Sequence, residues 1–169
     1  MVDESGLSQR PHRCRTWAPR GQTPVRDYNF NWKSLPAVAG LTAWNFYFRL
    51  YAGTVKSPQV VDFLTALARQ IRRPMILAWD RLAAHRSRRV WDHSAALKGH
   101  MHVEYLPAYA PELNPVESIW AHWKQHELPN VCPQDDRQLS QLARRTLKRM
   151  RRRPRLITAF WKQASVWPM

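Results

Sequence analysis

Cysteine is nearly absent from this sequence. Cys14 and Cys132 are the only two among 169 residues, and they stand far apart. Two distant thiols make a disulfide framework untenable and read as reduced groups in a cytoplasmic protein. Long apolar runs are missing as well, so no segment reads as a membrane span. No signal-peptide pattern opens the chain, and no lipidation signal directs it to a membrane surface. Internal repeats and linker-like stretches are also lacking, which fits a single domain. The 44% hydrophobic content is too high for a disordered chain, and the length suffices for a sizeable core.

Negative charge is the other scarcity. Twelve acidic residues face 27 basic ones, for a net charge of +15 and a pI near 11.0. Such a surplus calls for a polyanionic partner, most simply nucleic acid. It is also uneven: ten Lys or Arg and no Asp or Glu lie between Arg137 and Lys162. A solvated helix face is the simple explanation, but ten like charges repel each other, and a phosphate backbone relieves that. Arg144, Arg145, Lys148, Arg149, Arg151, Arg152 and Arg153 are the candidates there; Arg81, Arg86 and Lys124 are further ones elsewhere.

The hydrophobic pattern predicts an α/β fold with a mixed sheet. "MVD" reads as a very short first strand and "ESG" as a turn. Residues 8–33 read as loop with short strand pieces, "GQTPV" among them. "SLPAVAGLTAW" and "FYFRLYAG" predict a hairpin about a Trp-Asn turn. "SPQVVDFLTALARQI" has helical spacing with Ser57 as its cap. "MILAWD" reads as a strand buried on both faces and ending at Asp80. "RSRRVWDHSAALKG" predicts a helix closed by Gly99, and "HVEYLP" a further strand. Residues 135–166 read as helix, broken near Pro154.

Few acids allow each to be sorted. Asp3 and Asp80 each end a predicted strand, and groups beyond the carboxyl ends of parallel strands are well placed for function. Glu117 stands in "PAYAPELNPVESIWAHWKQHEL", three residues after Asn114. Capping alone explains that stretch: Asn114 as N-cap, Pro115 as first helical residue, Glu117 closing a capping box. A metal-ligating carboxylate on a fixed helix end is the alternative. Three converging carboxylates repel unless cations neutralise them. Two Mg²⁺ ions, with Mn²⁺ as substitute, would do so, and would also polarise water and the leaving oxygen at a phosphodiester.

"VDESG" followed by "TWAPRGQTP", then "ILAWDRLAAHRSRRV", then "YLPAYAPELNPVESIW" resemble, in order and spacing, the three acidic motifs of the DDE endonuclease superfamily. The likeness is to mariner-like bacterial insertion-sequence transposases and covers roughly residues 1–128. It implies an RNase H-like, five-stranded mixed sheet flanked by helices. It also implies Asp3, Asp80 and Glu117 as catalytic metal ligands. His85, part of the same likeness, is a candidate active-site neighbour that could touch the scissile phosphate or orient a water, or equally a helix-start residue bonded locally; Asn114 is a further candidate neighbour. Double-stranded DNA, both element ends and target, becomes the expected partner, in a nucleoid-associated, homodimeric full-length protein. The division expected is 1–134 as catalytic domain and 135–169 as a basic helical extension packed on it.

Two departures are visible. Arg81 stands where the family often has Asn. The N-terminal helix-turn-helix domains usual in the family are not in this chain, so it reads as the catalytic portion alone. A catalytically silent DNA-binding remnant and a small stand-alone nuclease are the competing readings. His12 with Cys14, and His100 with His102, hint at zinc, but no four-ligand spacing completes a site. Trp120 and Trp123 fall with Ile119 on an apolar face and read as core; Trp17, in a basic loop, is a candidate DNA contact.

Overall fold

The computed structural model describes residues 1–27, 34–97, 99–108, 110–164 and 166. Strand β1 (Val2–Ser8) pairs antiparallel with β2 (Ser34–Leu41), and β2 with β3 (Phe46–Leu50). Strand β4 (Met75–Trp79) runs parallel to β5 (Met101–Tyr105), with Trp79 opposite Tyr105. The five expected strands are therefore present, but among the described residues their ladders form a three-stranded and a two-stranded sheet. No ladder bond joins β1 to β4 there.

"ESG" is not a turn. β1 runs through it because Val2 and Leu7 are buried and the backbone is satisfied by β2, with Gly6 opposite Pro36. The pleat sends alternate side chains to opposite faces. Asp3, Ser5 and Leu7 face one side; Val2 and Glu4 face the other. Residues 21–27 contain no strand, and the part of the expected loop at 28–33 lies outside the described residues.

Each face has its own core. On the Leu7 face, Ala37, Ala39 and Phe46 pack with Val116, Ile119 and Trp120 of α3 (Pro115–His122), Leu147 and Met150 of α4 (Asp136–Arg151), and Phe160 of α5 (Pro154–Gln163). On the Val2 face, Val38 packs with Phe63 and Leu64 of α1 (Ser57–Gln70), Leu77 and Trp79 of β4, and Val90 of α2 (Arg88–Ala96). A Cβ at Gly40 would meet Val2 at 3.3 Å and Phe63 at 3.4 Å, so glycine lets α1 come close to the sheet.

Helix starts depart from expectation at one point. Lys56, not Ser57, is the N-cap of α1: its carbonyl accepts from Gln59 and Val60, and its N–H donates to Gln59 Oε1 at 3.1 Å. Pro58 in the first turn costs nothing because its missing N–H has no partner there. Helix α2 is followed by Gly99 at φ 74°, a left-handed position that glycine takes without strain. β4 is buried on one face only. Leu77 and Trp79 are enclosed, whereas Ile76 is 72% exposed. An apolar run cannot by itself reveal which face a neighbour covers.

Part of the basic C-terminal run serves the fold. After α3 the chain makes a π-helical turn (Trp123–Glu127), which carries Glu127 into the protein. Arg149 Nε donates to Glu127 Oε2 at 2.7 Å, and Arg153 donates to Oε1 at 3.0 Å. Arg151 lies over the Phe48 ring at 5.9 Å. These three arginines, expected as free phosphate contacts, already have partners within the chain. Glu127 needs its two: an unpaired buried carboxylate is strongly destabilising. Arg149→Ala is therefore expected to lower unfolding free energy by about 2 kcal/mol, measured by urea denaturation. No loss of stability would mean that Arg153 alone satisfies Glu127.

Candidate active site

β1 supplies two acids in succession, and the pleat directs them to different tasks. Asp3 is 6% exposed and accepts from Trp120 Nε1 at 3.1 Å. Its neighbour Glu4 points the other way, to His85 Nε2 at 2.8 Å. The other ring nitrogen of His85 lies 2.7 Å from Asp80 Oδ1. His85 thus ties β1 to the end of β4, and its side chain is fully enclosed. Trp79 stacks on it, with centroids 4.2 Å apart and planes 1° from parallel. Burial alone would pull the imidazole pKa down, but Glu4 and then Asp80 outweigh it and raise it. The raised value fits a ring that donates from both nitrogens.

Asp80 follows the last residue of β4, and its Oδ1 also accepts from the Leu82 N–H at 3.1 Å. Glu117 sits in the first turn of α3. Asn114 caps that helix, accepting from the Val116 N–H at 3.2 Å, and Pro115 is its first residue. Both capping expectations for these two residues hold. The capping box does not form: Glu117 is exposed and makes no reciprocal bond to Asn114 among the described residues. Its carboxylate is left for another use.

Asp3, Asp80 and Glu117 line one open cleft of about 660 Å³, together with Arg81, Arg86, Asn114 and residues 106–108, 110 and 111. The shared space has an electrostatic consequence. Burial first, then repulsion from Glu117 and Asp80, push the Asp3 carboxyl up to about 7, although the Trp120 N–H opposes this. Among the described residues, no three His, Cys, Asp or Glu side chains stand close enough together to hold a metal ion as placed. The donor set nevertheless fits Mg²⁺ or Mn²⁺: hard carboxylate oxygens, one of them strained by unneutralised neighbours, in a cleft with room for phosphate and water.

The sequence model of the DDE superfamily endonucleases matches residues 1–140. The chain belongs to this family. The fold agrees with solved structures of Mos1 transposase. A paired-end complex with the left transposon end matches with a TM-score of 0.72 at 18% identity, covering 96% of this chain and 51% of that one. A strand transfer complex matches at 0.67 and 20% identity, covering 98% and 51%. A paired-end complex with Mn matches at 0.68 and 19%, covering 98% and 52%. The chain spans about half the length of these Mos1 chains. Among curated proteins none is similar enough to match.

In this member of the DDE superfamily several features of the candidate site escape a reading of the sequence. Glu4 reads as a turn residue, and only the continuation of β1 turns it toward His85. Trp120 is core, as expected, but its N–H also holds Asp3. Lys124, expected on DNA, donates to Ser5 Oγ at 2.8 Å. Arg144, Arg145, Lys148 and Arg152 are exposed, and Trp17 is wholly so. Cys14 and Cys132 are free thiols.

Proposed function

We propose that this chain is the catalytic unit of a cut-and-paste DDE transposase, cleaving DNA strands and joining them to new sites. The observation that carries the reading is the common cleft of Asp3, Asp80 and Glu117 in a protein of charge +15. Asp3, Asp80 and Glu117 would hold two Mg²⁺ ions, or Mn²⁺ in their place. When bound, the ions supply the charge that activates an attacking oxygen and stabilises a leaving one. Trp120 orients Asp3, His85 holds Asp80 toward β1, and the Asn114 cap fixes the turn that bears Glu117. Arg81 and Arg86, on the wall of the same cleft, hold the phosphates on either side of the scissile bond.

Water attack on a phosphodiester frees a 3′-hydroxyl and leaves a 5′-phosphate; attack by that hydroxyl on a target phosphodiester joins the strands and releases the target strand's own 3′-hydroxyl. The Mos1 paired-end and strand transfer complexes support this order. In this reading the two ladders act as one RNase H-like sheet, residues 1–134 form the catalytic domain, and 135–169 the basic extension. The full-length protein works as a homodimer on the bacterial nucleoid. Supercoiled plasmid with Mg²⁺ or Mn²⁺ tests the chemistry: nicking that chelator abolishes is expected. A folded chain that binds DNA and never nicks it would favour the silent remnant. The open spacing of the three carboxylates is the observation on that side.

The exposed cations of α4 are the expected track for the DNA backbone. Replacing Arg144, Arg145 and Lys148 with Ala should flatten the plot of log affinity against log salt by up to about three units, roughly one per lost contact. An unchanged slope would place the DNA elsewhere on the protein.

A further inference from the structure

Beside the carboxylate cleft lies a second, aromatic hollow. Its mouth, about 660 Å³, is lined by Arg81, Arg86, Arg88, Trp91 and Tyr105. Arg81 and Arg86 also line the cleft, so the two spaces share a wall. Trp91 is 66% exposed, unusual for so large a ring on a short helix. A second space of about 270 Å³, lined by α2 and β5, shares Trp91 and Tyr105 with this one and reaches Trp79, Ser94 and His102. Trp79 Nε1 and Ser94 Oγ are buried and have no hydrogen-bond partner among the described residues. An unpaired buried donor is costly, so the packing around these two atoms is not at its best as it stands.

We infer that this hollow receives a single unpaired nucleobase of the DNA strand whose neighbouring phosphate lies at the carboxylates. Resting on the DNA-cleavage reading, this assigns a binding site to residues outside the acidic triad. The chemistry on each wall points to a nucleotide. Three guanidiniums at the mouth suit phosphates. Two aromatic rings suit the face of a base, which every base offers. Ser94 and His102, which line the inner space, bring polar side chains to the edge of a base. The inner space is too small for a duplex, so the base must leave the stack, as bases bound in enzyme pockets do. Its distance from the cleft is short because Arg81 directly follows Asp80.

Two DNAs of equal length test this with the whole chain: a blunt duplex, and the same duplex with a three-nucleotide 3′ overhang carrying 2-aminopurine. The overhang should bind about tenfold more tightly, in line with one stacked base, and 2-aminopurine emission should fall on binding. Trp91→Ala should erase the advantage and the quenching while blunt-duplex affinity and salt slope stay, since no cation is lost. Trp91→Phe should keep most of the advantage. Equal affinity for both DNAs, or an equal loss for both in Trp91→Ala, would overturn the pocket while the DNA-cleavage reading stands. A chain that binds neither DNA would overturn both. Trp91 is largely exposed, so circular dichroism should show both variants folded; an unfolded Trp91→Ala would contradict the placement of the ring itself.

Discussion

Asp80→Asn is expected to abolish metal-dependent cleavage. The change is well isolated. Asp80 Oδ1 accepts from the Leu82 N–H and lies 2.7 Å from His85 Nδ1, and an Asn oxygen can take up both bonds. What disappears is one negative charge, which faces Asp3 and Glu117 on one side and the His85 ring on the other. If that charge helps to hold Mg²⁺ or Mn²⁺, plasmid nicking should fall by at least about a thousandfold, equivalent to several kcal/mol of lost charge stabilisation. DNA binding should persist or tighten slightly, because a phosphate-repelling group is gone. Binding of Mn²⁺, followed by electron paramagnetic resonance, should weaken in step. Nicking at the original rate by Asp80→Asn would make the metal mechanism untenable.

The metal-free protein should lose stability as pH rises from about 4 to about 7. Asp3 titrates near 7 in the folded chain, against 3.8 for an ordinary aspartate. Between those values the folded state holds a proton that the unfolded state has released. The contribution is complete below pH 4, is lost as pH rises through 7, and changes no further above it. The difference amounts to about 4 kcal/mol. His85, also raised, acts in the same direction, so the Asp3→Asn variant is the control that separates them. Asn can still accept from Trp120 Nε1 and carries no charge. In chelator at pH 8, Asp3→Asn should melt roughly ten degrees above the unmodified chain, and the two should converge near pH 4. Mg²⁺ or Mn²⁺ at pH 8 should narrow the gap by stabilising only the unmodified chain. Parallel melting curves across pH 4–8 would show that the three carboxylates do not repel one another as placed.

The individual elements are legible in the sequence because their signals are local. Helical spacing marks α1, α2, α3, α4 and α5, and Asn114-Pro115 announces the start of α3 through capping chemistry that needs no distant partner. Asp80 and Glu117 are legible too, since each stands at a strand or helix end within a recognisable motif; Asp3 is legible by its motif alone, because β1 does not end there, as expected, but continues to Ser8. Charge pattern announces a polyanionic partner but not which cations meet it. Arg149 and Arg153 look like their neighbours in sequence and differ only because the π-helical turn delivers Glu127 to them.

Tertiary structure alone decided the rest, because it concerns groups that meet across long stretches of chain. Glu4 and His85 are 81 residues apart and Trp120 and Asp3 117 apart. No local period records such pairs; the pleat of β1 sends Asp3 to one face and Glu4 to the other, and packing brings the partners. The same holds for the hollow beside Trp91, which exists only where α2 leans on β5. The sequence by itself determined which side chains can carry the chemistry. Burial, register and the meeting of charges decided which of them share one cleft.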